Sequence, residues 1–380
     1  MNAISPQRGP AYHINPSRFS EPRVALVHYW LVSMRGGERV VERLLGLYPR
    51  ADIFTHVYNP VLVSATIAKA KVTTSFINAL PGSRRFYQYY LPLMPIALEQ
   101  LDLNGYDLVI SSESGPAKGV ITGPDTLHVC YCHSPMRYLW DHYHQYRSEA
   151  NLLSRMAMPM IYHWLRQWDV SSSARVDRLA ANSEFVRRRI AKVWGRESEV
   201  IHPPVDTSLF TPSTEIEDYY LWVGAMVSYK RPDLAVDAFT ANGLPLLMVG
   251  QGSMLRRLKA RAGSNIRFVD RLDFNALRRA YARARAFVIT AEEDFGIAPV
   301  EAMASGRPVI ALGRGGALDT VVPGRTGVFF DRQEPESLII AVKEMQKFLC
   351  HFDPRDTVAQ ADRFSPEHFD QRFRQLIANS

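Results

Sequence analysis

Short apolar runs rich in β-branched and aromatic residues alternate along this chain with stretches in which apolar residues recur every three or four positions. Runs at 23–30, 51–56, 107–112, 127–132 and 179–182 predict buried strands. Helical spacing lies between them, in 34–45, where Val40, Val41, Leu44 and Leu45 share a face, and in 152–177. Pro203 and Pro204 break the pattern and stiffen a connection, after which it restarts. Strands are then expected at 219–223, 246–249, 266–269, 286–290 and 308–311. Helices are expected at 233–241, 254–262, 275–285, 300–304 and 317–322, the third with an apolar stripe of Leu277, Ala280, Tyr281 and Ala284. Strands alternating with helices predict an α/β chain with parallel, doubly wound sheets. Because the pattern runs twice, two Rossmann-like domains are expected, meeting near residue 203 and facing a central cleft that holds the ligand.

These boundaries give an N-terminal domain over 21–203 and a C-terminal domain over 204–363. Residues 1–20 are polar, with Pro and Gly and no apolar leader core, and read as a flexible arm. Over 364–380, Ser365 suits an N-cap and Pro366 a first helical turn, while Phe369, Phe373, Leu376 and Ile377 share one face. A length of 380 residues is too great for one compact core.

Composition narrows the function. The net charge of +7 admits nucleic acid, an anionic membrane surface or phosphorylated small molecules as partners. No paired Cys/His finger or aromatic RNA-reading run occurs, so nucleic acid is not expected. No window of eighteen apolar residues marks a spanning helix. The three cysteines, with Cys130 and Cys132 on one strand face and Cys350 distant, fit free thiols in a reducing cytoplasm and no metal site.

Candidate chemistry concentrates in the run from Ala291 to Gly306, which carries Glu293, Phe295, Gly296, Ile297, Pro299 and Glu301. It reads as strand, short acidic loop, then helix. A helix start offers unpaired N–H groups and a positive dipole end to an anion, and two flanking carboxylates can grip hydroxyls. Acidic residues there also simply complement the dipole, so spacing alone leaves both readings open.

The spacing Glu293-x7-Glu301, with Phe295-Gly296 inside it and Ala302-Met303-Ala304-Ser305-Gly306-Arg307-Pro308-Val309-Ile310-Ala311 after it, resembles the donor-site signature of retaining GT-B glycosyltransferases of family 4. The resemblance covers nearly the whole chain after residue 23 and is strongest from Tyr219 to Asp331. It implies that Glu293 touches the transferred sugar, that Glu301 touches the nucleotide ribose, and that Phe295, Gly296 and Ile297 belong to the donor site. Leu221 to Asp233 is similar to the stretch that supplies basic side chains to the donor diphosphate, with Lys230 at the family's lysine position and Arg231 beside it. Ala225 stands where that family usually has arginine, a loss that Arg231 or Arg271 would have to cover. Asp319 follows a second donor-side glycine turn, Gly313 to Gly316, in place of the usual glutamate. Gly250-Gln251-Gly252 reads as a structural turn.

In the first half, Gly36 and Gly37 follow the first strand and match the family's phosphate-approaching glycine loop, although an ordinary turn needs glycines equally. His133, at the carboxyl end of the strand 127–132, takes the position of a histidine that bonds the sugar in similar enzymes. Arg137 follows it on the acceptor side, within a run from Tyr131 to Asp141 that looks most like bacterial polysaccharide mannosyltransferases. Arg84 and Arg85 head an aromatic and aliphatic segment, 83–95, that suits either a membrane interface and a lipid-linked acceptor or a core helix with a basic end.

The resemblance therefore implies a metal-independent retaining hexosyltransferase without a cofactor. Its partners would be a nucleotide sugar, first GDP-mannose, and a lipid-linked glycan or polysaccharide acceptor in surface-glycan synthesis. The location implied is cytoplasmic, at the inner face of the membrane. The rival reading is a catalytically impaired GT-B domain that senses sugar nucleotides or acts as a scaffold, for which Ala225 is the main support.

Overall fold

The structure is a computed structural model and describes residues 22–378, so the expected arm at 1–20 lies outside the described residues. The described chain divides into two compact units. The first comprises the residues up to Ala181, Arg189–Ile201 and those from Asp370 onward; the second comprises Asn182–Arg188 and His202–Phe369.

The first unit is built on β1 (Val24–His28), β2 (Asp52–Thr55), β3 (Val72–Thr74), β4 (Leu108–Glu113), β5 (Leu127–Cys132), β6 (Arg178–Ala181) and β7 (Glu199–Val200). They form one parallel sheet in the order β3-β2-β1-β4-β5-β6-β7. Every residue of β1, β4 and β5 is buried, as expected for strands covered by helices on both faces. The second unit carries β8 (Tyr220–Val223), β9 (Leu246–Val249), β10 (Ile266–Val269), β11 (Phe287–Ile289), β12 (Val309–Leu312) and β13 (Gly327–Phe330), also parallel, in the order β10-β9-β8-β11-β12-β13. Each sheet reverses its strand order beside its first strand, at β1/β4 and at β8/β11, the doubly wound Rossmann-like arrangement.

The central strands and the edge strand β10 coincide with the apolar runs; the other edges do not. β3, β7 and β13 are short and mostly half-exposed, so no sustained apolar run marks them. The helices Pro335–Phe348 and Pro354–Asp362 also lie outside the expected elements. The helix expected at 254–262 is only Leu255–Lys259, because Leu258 alone is buried among its basic residues. The long helix of the first unit is Leu152–Ser173, shorter than 152–177, because the Asp177 carboxylate accepts from the backbone N–H of His128 and ties the chain into β6.

Burial in the first unit extends to charge. Lys118 is 0% exposed and pairs with Glu113 at 3.4 Å and with Asp169. Asp169 also accepts from the indole N–H groups of Trp140 and Trp194, each at 2.8 Å, while Glu113 accepts from the backbone N–H groups of Ala117 and Lys118. The two carboxylates hold Lys118 protonated despite the cost of burial. The closing helix, Pro366–Ala378, buries Phe373 near Tyr131, and its Arg372 and Asp370 pair with Glu199 and Arg43.

Burial also lowers the pKa of His56, His128 and His133 to about 4. The unfolded value is about 6.5. Above it these histidines are neutral in both states and the stability is fully present. As pH falls toward 4, the unfolded chain binds protons that the folded chain does not, and stability is lost by up to ~1.4 kcal/mol per pH unit for each histidine. Urea unfolding at pH 7, 6 and 5 is expected to show this decline, and His56→Asn, which keeps a donor for Ser75, is expected to make it shallower.

Candidate functional site

In the second unit the loops after β8 and β11 meet. The Trp222 indole N–H donates to the Thr290 hydroxyl at 3.2 Å, and that hydroxyl donates to the Lys230 carbonyl at 2.9 Å. This bridge fixes the turn Ser228–Lys230 against the acidic loop. The Lys230 ammonium then lies 3.0 Å from Glu293, with each side chain about a quarter exposed. Two predicted residues from separate elements, 63 positions apart, thus form one charged pair at the carboxyl end of the sheet.

Glycines set the shape of this loop cluster. Gly296 at φ +91° precedes the helix Ile297–Ala304, a conformation that a side chain would strain. A Cβ on Gly315, itself at φ +66°, would lie 2.4 Å from the Glu293 carbonyl oxygen, and the Gly316 N–H donates to that oxygen at 2.9 Å. The second glycine turn therefore braces the acidic loop from behind. Gly250 and Gly252 do the same for the other loop, since Cβ atoms there would meet the carbonyl oxygens of Gly224 and Met226 at 1.9 and 2.3 Å. The structural-turn expectation for Gly250-Gln251-Gly252 holds for this reason.

Phe295 is only 3% exposed and packs with His202 and Phe364, so its ring anchors the loop in the core. Ile297 is half-buried against the same core. Glu301 falls in the second turn of its helix because the helix starts at Ile297, and Pro299 fits its third position, where an N–H would still lack an intrahelical partner. Its carboxylate is buried and accepts from the Tyr281 phenol at 3.0 Å. Arg231 takes a left-handed conformation (φ +50°), and its guanidinium turns to Asp233 at 3.1 Å. Arg271 is exposed after β10, two strands from β8. Asp319 accepts from the Glu184 backbone N–H at 2.7 Å, a structural use of the shorter carboxylate, and burial raises its pKa.

In the first unit, His133 follows β5, held by its N–H to the Glu113 carbonyl at 2.8 Å. Its Nε2 lies 2.8 Å from the Ser112 hydroxyl, which lies 3.0 Å from Nδ1 of His28. Gly37 packs against this group: a Cβ there would stand 2.5 Å from the Tyr29 hydroxyl and 3.4 Å from the His28 ring. The structure thus brings Gly36, Gly37 and His133 to the β1/β4/β5 ends through His28 and Ser112, which the motif reading missed. Their signal was a polar residue at the carboxyl end of a buried strand, and both strands showed it. The helix start at Gly36 already holds a carboxylate, since Glu38 accepts from the Arg35 N–H at 3.0 Å. Arg137 is half-buried in the turn after β5. Arg84 and Arg85 are exposed on the short helix Ser83–Phe86. Among the described residues no group of three or more His, Cys, Asp and Glu side chains is arranged to hold a metal ion.

Two family models match this chain. The model of the glycosyltransferase family 4 matches residues 34–209, and that of the glycosyl transferases group 1 matches residues 210–347. A GDP-mannose-dependent alpha-mannosyltransferase of Mycobacterium tuberculosis is 28% identical over 209 residues, 53% of this chain and 48% of the relative. The O-antigen chain mannosyltransferase RfbU of Salmonella typhimurium is 31% identical over 144 residues, 34% and 40% of the two chains. The chain spans about half the length of the curated relatives it matches. Among solved structures, HepE of Anabaena in complex with UDP superposes with a TM-score of 0.68 at 16% identity, over 94% of this chain and all of that one, which shows the shared fold.

The bracing glycine turn can be tested directly. Gly315→Ala is expected to cost about 1–3 kcal/mol in urea unfolding, because it adds a backbone clash to a left-handed φ. Gly324→Ala, at φ +74° with nothing within 4 Å of the new Cβ, carries only the conformational part and is expected to cost less.

Proposed function

From a chain that belongs to the GT-B glycosyltransferases of the family 4 type, we propose a retaining, metal-independent hexosyltransferase that moves mannose from GDP-mannose to a lipid-linked or polysaccharide acceptor in surface-glycan synthesis. The observation that carries the reading is the Lys230–Glu293 pair, placed where the strand order of the second unit reverses. The Lys230 ammonium neutralises the diphosphate as the bond from sugar C1 to the phosphate oxygen breaks and charge grows on the leaving group. Glu293 accepts from hydroxyls of the sugar and holds C1 in place. The acceptor oxygen bonds C1 from the face the phosphate leaves, and its proton passes to the departing phosphate. His133 of the first unit is neutral at physiological pH because burial depresses its pKa, so it offers a hydrogen bond and no charge. Mannose is favoured by the named activities of the two mannosyltransferase relatives, and GDP by that of the Mycobacterium protein.

The acceptor reading rests on the surface of the first unit. The helix Leu152–Ser173 exposes Leu152, Leu153, Met156, Met160 and Trp164 over its first turns, Met160 at 82%. Phe86, Tyr89, Leu93 and Ile96 are also exposed beside Arg84 and Arg85. The inner sides of both segments share one core through Leu91, Met94, Leu98, Leu165 and Trp168. Apolar side chains next to cations suit the interface of an anionic bilayer, where a lipid-linked acceptor resides. No helix among the described residues is long and apolar enough to cross a membrane.

A second reading is an impaired domain that senses sugar nucleotides. It is favoured by Ala225, exposed where a guanidinium is usual, and by the Asp233 partner that holds Arg231.

Incubation with a panel of nucleotide sugars and bacterial membrane lipid extract is expected to release nucleotide with one donor and yield a glycosylated lipid of the donor's anomeric configuration. Glu293→Ala and Lys230→Ala are each expected to lower kcat about 100-fold or more. A product of opposite configuration would overturn retention, and a donor that raises Tm without turnover would favour the sensor. The protein is expected to co-sediment with vesicles containing phosphatidylserine more than with phosphatidylcholine alone, and Met160→Glu to weaken that binding.

A further inference from the structure

The chain His28–Ser112–His133 joins the carboxyl ends of β1, β4 and β5 through two hydrogen bonds that share one hydroxyl. The Ser112 hydroxyl has one proton and no partner among the described residues besides the two imidazoles, so its proton is satisfied only where it donates to one and accepts from the other. Two directions are therefore open, and they fix opposite tautomers of His133. In one, His28 Nδ1–H donates to Ser112 and Ser112 donates to His133 Nε2, leaving the proton of His133 on Nδ1. In the other, His133 Nε2–H donates to Ser112, Ser112 donates to His28 Nδ1, and the proton of His28 moves to its Nε2.

The surroundings of His28 decide between them. Its ring is fully buried, flanked by Tyr29 and Gly37, and its Nε2 has no hydrogen-bond partner. The second direction would bury an N–H donor with nothing to accept it, whereas the first leaves only a lone pair unmatched, the more tolerated defect. His133 is half-buried, and its Nδ1 has no partner among the described residues. We propose that His28 and Ser112 are positioning residues that lock His133 as its Nδ1–H tautomer, so that it presents a hydrogen-bond donor to an oxygen of the bound sugar. The sugar contact rests on the transferase reading above; the tautomer does not. The lock gives a reason for two polar residues in strands that are otherwise apolar, and it extends the site beyond the residues in the motifs.

The test reads the tautomer by nitrogen NMR. In the full-length protein labelled with 15N-histidine, at neutral pH, His28→Gln and His133→Gln assign the two rings among the eleven histidines. The expected pattern is a protonated Nδ1 and an unprotonated Nε2 on both. Ser112→Ala is expected to release His133 to a tautomer mixture and, with the turned-over donor, to lower kcat about ten-fold. Ser112→Thr, which keeps the hydroxyl, is expected to restore both. A protonated His133 Nε2 in the unaltered protein overturns the proposal, as does a tautomer unchanged in Ser112→Ala. If the tautomer is as expected but no nucleotide sugar turns over, the lock stands and the transferase reading falls.

Discussion

Parallel pairing of adjacent strands is the constraint from which the rest of this structure follows. A parallel pair needs a crossover, and a right-handed crossover returns the chain over a face of the sheet. When winding starts in the middle and proceeds first one way and then the other, the two loops beside the starting strand leave in opposite directions and open a gap between them. Both sheets here do this, at β1/β4 and at β8/β11. The residues argued to do chemistry stand at those gaps: Lys230 after β8, Glu293 after β11, and the His28, Ser112 and His133 group at the ends of β1, β4 and β5.

Position at a gap is not yet geometry, and the structure uses different means to hold each half of the chemistry. In the second unit the means is backbone packing. Glycines at 250, 252, 315 and 316 let neighbouring turns come close enough that a methyl group would not fit, and the loops carrying Lys230 and Glu293 are held from behind. In the first unit it is a buried charge network. Glu113 ends β4, its carboxylate is tied to Lys118 and two backbone N–H groups, and its carbonyl receives the His133 N–H. Lys118 in turn depends on Asp169, from the far side of a long helix. Removing one member would leave a charge buried without its partner, so the network holds together or fails as a whole.

The degree to which each feature was legible follows from the same physics. Central strands must be apolar on both faces, so the fold class and the winding could be read from short apolar runs. Edge strands that face water carry a weaker mark, which is why β3, β7 and β13 escaped, whereas the edge strand β10 kept an apolar run and was legible. The Lys230 and Glu293 positions were readable because a motif places them, yet their 3.0 Å contact depends on Trp222 and Thr290, which no motif marks. Phe295 lies inside the signature, yet its ring is in the core, because an aromatic ring in a loop gains by leaving water. Ser112 showed only as a polar residue at the end of a buried strand, and its use depends on neighbours across two strands.

The charges of the second unit are already matched before any ligand arrives: Lys230 with Glu293, and Arg231 with Asp233. Pairs this exposed contribute only about 0–1 kcal/mol each, so a doubly charged diphosphate can exchange one carboxylate for itself at small cost. Under the transferase reading, ligand phosphate and ligand sugar would take over the two halves of one pair, leaving neither carboxylate nor ammonium alone. With Ala225 in place of a guanidinium, phosphate binding under the transferase reading would fall to Lys230 and to the backbone N–H groups at the start of the helix Ile297–Ala304.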